Sequence, residues 1–436
     1  MNESVKIKRA TYHLWTFVTS KLISTFGAQV YSFAISFYIL QLTGSATNFA
    51  TNLICAILPR TLMAPFAGYL ADNYSRKAIV IISQIITTLA IIGLLIVSLT
   101  IGLSLIAIYT TTCILSVTAT FSGVTFTSSI SRLIDEQRIQ KAMSLNQMSI
   151  SFAAIGSPAV GGILYGNVSM PVFLVIYIIA SIVAVCLEAT MDFNLFSKHK
   201  EQISDRMDNQ KESVWQNMKA GISYLKLQPI IMLLVWISLI INFLFGAFEV
   251  GYSFILIEKL KINSEHFGFT QGAFAVGMLL LSIYFSARKE VRYPMLVSKW
   301  GILFMGAVMG AVSIPLLITF SYIGNFLYYI ILMFTFGSLV IIVNTPIQVM
   351  LQKKIDDEYK GRVFSIIETM AMALMPLGMV LFGLLYDVLP AQWILISSAT
   401  LLITIVLILA RPSVVRRAHP ELEKKHGKPT EVEMPL

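Results

Sequence analysis

Charge is what this chain has least of. Of its 436 residues 13% are Asp, Glu, Lys or Arg and 56% are hydrophobic. Soluble domains carry about 25% charged residues, so this composition cannot cover a water-facing surface, and the implied solvent is lipid. Cysteine is scarce as well. Cys55, Cys113 and Cys186 each lie inside an apolar stretch and no CxxC occurs. That excludes a disulfide framework and a thiolate metal site, and the three are read as small core residues. The histidines, His13, His199, His266, His419 and His426, fall in loops, tails or span ends without metal-ligand spacing. No metal and no cofactor is expected. There is no G-x-x-x-x-G-K-[ST] loop, which excludes a P-loop nucleotide motor. No H-x-x-x-x-D or metal-spaced cluster supports a lipid-modifying membrane enzyme, so no enzyme is expected. Alternating segments of ~10 residues, the mark of a membrane β-barrel, are missing too.

What the chain has in abundance is long apolar runs. Runs of about 20 apolar residues span a bilayer as helices. Twelve are predicted, at 14–40, 46–70, 78–100, 103–128, 141–165, 170–190, 228–252, 266–286, 294–318, 322–346, 363–387 and 391–410. The first follows Lys6, Lys8 and Arg9 but is too long for a signal h-region and ends in no small-residue cleavage site. It is expected to be retained.

The net charge of +9 is not spread evenly. Alternate loops hold Arg76/Lys77, Arg132/Arg138/Lys141, six basic residues between Lys198 and Lys226, Arg288/Lys289/Arg292, and Lys353/Lys354/Lys360/Arg362. The opposite loops hold only Lys259 and Lys261. This is the positive-inside bias. It predicts an even number of spans in a cell membrane with both termini cytosolic, and it argues against nucleic acid as the partner of the basic charge.

Four segments follow: a six-helix bundle over 1–191, a cytosolic linker over 192–227, a second six-helix bundle over 228–411, and a disordered basic tail over 412–436. Within the linker Val214, Met218, Ile222 and Leu225 fall at helical spacing, as in an amphipathic helix at the membrane surface. The halves echo each other. At one constant offset Ile134 pairs with Ile355, Asp135 with Asp356, Lys141 with Arg362, Ser144 with Ser365 and Gly162 with Gly383. Duplicated bundles related by an axis along the membrane normal are a transporter architecture, with the substrate site between halves near midplane.

The stretch "GYLADNYSRK", Gly68 to Lys77, breaks the apolar pattern between the second and third spans. A lone acid beside bases at helix ends can meet a neighbouring helix N-terminus. The stretch resembles the loop motif of the major facilitator superfamily, G-x-L-a-D-r-x-G-r-k. Gly68, Leu70, Asp72, Arg76 and Lys77 match; Asn73 and Ser75 depart from it. "AAIGSPAVGGILYG", 153–166, is similar to that superfamily's antiporter motif through Pro158, Gly161 and Gly162. "SKLISTFGAQV", "LTGSAT" and "GISYLKLQP" resemble the macrolide-efflux and enterobactin-exporter branch. The resemblance implies an all-α fold of two pseudo-symmetric six-helix bundles, and export by proton antiport. It implies gating by Gly68, Asp72, Arg76 and Lys77 with Asp135, Asp356 and Arg362. It also implies bending and close packing at Pro158, Gly161 and Gly162.

Ionisable groups inside spans default to functional hypotheses. Glu249 and Glu368 are the proton-coupling candidates, because a half-dehydrated carboxyl can load and release a proton as its surroundings change. Lys21 and Arg60 are the substrate-binding candidates. Glu188 and Lys299 are read as close enough to the basic interface to snorkel or sit in water, and Asp387 as solvated at an outer end. Phe33, Phe37, Phe243, Phe245, Phe248, Phe326 and Tyr329 could line a greasy pocket. The expected partners are a small amphipathic or hydrophobic molecule, the bilayer and protons, with the chain a monomer. An anionic cargo such as a siderophore is the alternative favoured by Lys21 and Arg60. A non-transporting sensor or scaffold is the alternative from another class.

Overall fold

The computed structural model describes residues 3–135, 138–193, 195–196, 223, 225, 227–287, 291–355, 363, 366–367, 370, 374–412, 414 and 416. Those residues form twelve long helices: α1 (Glu3–Thr43), α2 (Ala46–Asn73), α3 (Arg76–Thr100), α4 (Leu105–Leu133), α5 (Ile139–Asn167), α6 (Met170–Ala189), α7 (Pro229–Phe254), α8 (Ser264–Ala287), α9 (Pro294–Ala311), α10 (Tyr322–Lys354), α11 (Met375–Val388) and α12 (Ala391–Leu409). A π-helical turn, Ile255–Lys259, extends α7. Among the described residues ten helices are long and apolar enough to cross a membrane. The other two are α2 and α11, the latter described only from Met375. The protein is a multi-pass membrane protein.

Local chemistry sets the helix starts. The serines Ser45, Ser75, Ser104 and Ser321 cap α2, α3, α4 and α10, accepting from Asn48, Ala78, Ala107 and Gly324 backbone N–H groups. Proline opens α7 and α9, where its missing N–H costs nothing. Gly44, at φ 60°, makes the tight turn between α1 and α2.

Packing repeats between the halves. In the first, α1 packs on α5 and α6, α2 on α4, and α3 on α4 and α6. In the second, α7 packs on α11 and α12, α8 on α10, and α9 on α10 and α12. The two sets superpose under the exchange of α1–α6 for α7–α12. In lipid the hydrophobic effect does not hold helices together, so packing and buried hydrogen bonds must. Gln84 donates to Ser181 (3.0 Å), Thr87 pairs with Thr118 (2.7 Å), and Thr112 donates to Asn52 (2.9 Å). In the second half Tyr329 donates to Val312 O (2.7 Å) and Tyr386 to Ala247 O (2.8 Å).

Two readings from the sequence need correction here. Glu188 does not snorkel: it is 1% exposed, and its Oε1 accepts from Ser20 Oγ at 2.6 Å. Asp387 is exposed at an outer end as expected, and it has partners there that are described below. The thiols are free as expected, but Cys186 is exposed on the outside of α6 and is not a core residue. Most of the linker and tail, 197–222, 224, 226, 413, 415 and 417–436, lies outside the described residues.

Candidate functional site

The two halves meet on the face opposite the chain termini. There α5 packs across α8, and α2 across α11. Gly162 and Gly268 make the first crossing possible: a Cβ on Gly162 would strike Ser264 O, and one on Gly268 would strike Pro158 O. Pro158 and Gly162 of the α5 motif therefore sit in this backbone-on-backbone contact, and Gly161 lies under the Phe33 ring. Ser264 Oγ donates to Gly162 O (3.0 Å), and Asn167 Nδ2 to Glu265 Oε1 (2.9 Å). Phe267 of α8 inserts beside Phe33 and Phe37 of α1, with ring centroids 5.5 and 5.9 Å away. All three rings are buried, so this face is plugged by apolar surface.

The second crossing is polar. Asp387, near the end of α11, reaches the N-terminus of α2. Its Oδ1 accepts from Ala46 N (2.6 Å), and its Oδ2 from Ser45 Oγ (2.7 Å) and Thr47 N (3.1 Å). These are donors that no intrahelical carbonyl can satisfy, at the positive end of the helix dipole. The carboxylate of one half thus completes the cap of a helix in the other. Sequence reading missed it, because a helix-end acid carries no sign of which N-terminus lies opposite.

On the face that carries the termini, the gating candidates bond within the first half. Arg76 donates from Nε to Ala71 O (3.1 Å) and from Nη1 to Ser128 O (2.7 Å). It braces the end of α2 against α4. Ser75, which departs from the family's glycine, is the α3 cap. Lys77 lies half-buried in the first turn of α3. Asp135 pairs with Arg138 at 2.5 Å, and Arg138 also donates to Thr11 Oγ1 (2.6 Å) and Ile7 O (3.2 Å). No described atom comes within 4 Å of a Cβ built on Gly68. The Asp72 side chain, Asp356, Arg362 and Glu368 lie outside what the structure describes. Among the described residues no extensive packing joins α4 and α10.

A cavity of about 590 Å³ lies in the part of the second bundle nearer the same face. It runs from Ile231 to Phe245 along α7, about 20 Å at 1.5 Å per residue. Residues of α8, α9, α10 and α12 complete its wall, with Ile367. It therefore belongs to the second half, whereas the duplicated architecture led to the expectation of a site shared between halves. Of the aromatic candidates Phe245 lines it, while Phe33, Phe37, Phe248 and Tyr329 are buried in the core.

The intramembrane charges fall in two places: Lys21 lies within electrostatic reach of Glu188 and Arg60 in the first half, and Glu249 stands in the second. Lys21 is half-buried beside Gly123, whose Cβ position is 4.0 Å from Nζ. Ser20, its neighbour, holds Glu188, whose Oε2 has no hydrogen-bond partner. Arg60 is exposed on α2. Neither Lys21 nor Arg60 lines the cavity. Glu249 is half-buried on α7 with no hydrogen-bond or ion-pair partner among the described residues. Its neighbour Phe248 stacks on Phe336, with centroids 4.1 Å apart.

Two pseudo-symmetric helical bundles, packed together on one face and holding a cavity on the side of the other, have the architecture of a membrane transporter. The model of the Major Facilitator Superfamily matches residues 17–378, and the chain belongs to that family. It is 23% identical over 406 residues to macrolide efflux protein A of Streptococcus pyogenes, covering 93% of this chain and 96% of that protein. It is 27% identical to the uncharacterized MFS-type transporter YfiS of Bacillus subtilis (strain 168), covering 91% of each. Its fold matches that of a bacterial homologue of the iron transporter ferroportin in an inward-facing state, with TM-score 0.64 and 14% identity over 92% of this chain and 98% of that one.

Proposed function

We propose that the protein exports amphipathic or hydrophobic small molecules from the cell by alternating access, in exchange for protons. The observation that carries this reading is the pairing of a far face where the halves pack closely with a cavity on the side of the basic face. The positive-inside bias assigns the basic face, and both termini, to the cytosol. The conformation is then inward-facing, ready to load from inside. The name of the Streptococcus pyogenes relative supports efflux as the direction and an amphipathic compound as the cargo.

Glu249 is the proton carrier in this scheme. A carboxyl with no partner in an aromatic setting is stable there when protonated and must find water or a cation when ionised. Opening the far face supplies that water. Proton entry from outside and release inside then reset the halves for the next molecule.

Retention of a panel of dyes, macrolides and siderophores is compared in deletion and overexpressing cells, with and without a protonophore. Overexpression is expected to lower retention of at least one compound, and the protonophore to abolish the difference. Glu249→Gln is expected to remove proton-driven efflux at normal protein level. Equal retention across all strains would end the exporter reading. Full pH-dependent transport by Glu249→Gln would exclude the role of that residue.

A further inference from the structure

The described lining of the cavity in the second half carries one sign of charge. Lys299 of α9 is its sole ionisable lining residue among those described, and no Asp or Glu accompanies it. Its other polar groups are amides and hydroxyls. Ser298 Oγ is already committed to Val343 O at 2.8 Å, and Asn242 Nδ2 to Ser238 O at 2.9 Å. Asn344 and Gln348 of α10 are exposed in the cavity and have no hydrogen-bond partner among the described residues. They sit four residues apart, so their amides stack on one face of the helix with about 6 Å of rise between them. The rest of the wall is apolar, Phe245 and Phe274 included.

From this we infer that the cavity selects amphiphiles bearing a carboxylate or comparable anionic group. Lys299 takes the anion, Asn344 and Gln348 donate to acceptors one helical turn apart, and the apolar wall takes the body. This deepens the exporter reading and rests on it for the direction of movement. An ammonium in a largely apolar shaft with no carboxylate among its described lining is stabilised by a ligand that brings the negative charge. A cationic ligand meets repulsion and finds no acid among the described lining residues. The volume, about 590 Å³, is that of a small-molecule site.

The test uses three probes of one shape: a dansyl-labelled medium-chain fatty acid, its methyl ester and its trimethylammonium analogue. Fluorescence titration of the full-length protein in nanodiscs measures binding. Efflux from overexpressing cells measures transport. The acid is expected to bind about tenfold tighter than the ester, the strength of one charge-assisted hydrogen bond, and the ammonium most weakly. Lys299→Gln is expected to erase the acid's advantage while leaving the ester unchanged, and Lys299→Arg to keep it. Equal or tighter binding of the ester or ammonium by the unmodified protein overturns the inference. So does a Lys299→Gln protein that still prefers the acid. If that variant does not fold, the order of the three probes on the unmodified protein decides alone. Binding in the expected order without efflux of any probe would leave this site standing and remove the exporter reading. Export of the ester and ammonium but not of the acid would do the reverse.

Discussion

Asp387→Asn should open the far face. The carboxylate receives three hydrogen bonds from the first turn of α2, and two of their donors are backbone N–H groups fixed by the helix. A hydrogen bond to a charged group contributes about 1.5–3 kcal/mol where both partners are buried, and a charge at a helix N-terminus about 0.3–1 kcal/mol at the surface. Asp387 is exposed, so solvent screening takes most of the first figure. The asparagine retains part of the hydrogen bonding. A net loss of about 1–2 kcal/mol moves the ratio of far-face-open to far-face-closed molecules by about 5–30-fold. Ala50 offers the readout. It is 1% exposed, and the Cβ position of Gly383 lies 2.8 Å from its methyl. A cysteine at residue 50, with Cys55, Cys113 and Cys186 replaced by serine, reacts with a membrane-impermeant thiol reagent only when α2 and α11 part. While the open form is rare, its labelling rate follows the open population. Asp387→Asn should raise that rate by the stated factor, and Asp387→Glu by less. An unchanged rate in a folded, membrane-inserted variant would refute the idea that this cap holds the halves together.

Two further outcomes test other parts of the frame. Gly162→Leu places a side chain where the Ser264 carbonyl lies, so the far face should fail to close. The cysteine at residue 50 should then label fast, while net efflux falls to background. Ser20→Ala removes the hydroxyl that satisfies Glu188 Oε1 in a buried site. It should cost about 1–3 kcal/mol, seen as a lower melting temperature in detergent, with Ser20→Thr closer to the parent.

Much of the architecture was legible because membrane-crossing is a one-dimensional property. Apolar length and the alternation of basic loops are written along the chain, and the echo of Asp135 in Asp356 marked the duplication before any contact was known. Small residues at 161 and 162 signalled a close helix approach, although nothing local named α8 as the neighbour. What escaped was everything that depends on helix rotation and on pairs far apart in sequence. Glu188 looks interfacial by position, yet its side of α6 turns inward onto Ser20. Asp387 finds its partners 340–342 residues away. Lys299 looks like an interfacial lysine until α7 and α10 are seen to wall a cavity around it. Ser75 reads as a defect in a glycine motif, but it does the work of a cap, since a serine at that position stabilises a helix start by about 1 kcal/mol over alanine.

One bundle owns all the described walls of the cavity, and this changes what rocking does to a passenger. When two rigid bodies share a chamber, every tilt reshapes it and the occupant must be re-gripped midway. Under the alternating access proposed above, the chamber travels intact with its own body, and the opposite body acts as a shutter sliding over its mouth. Affinity can then stay nearly level through the cycle, and discharge depends on which doorway is uncovered.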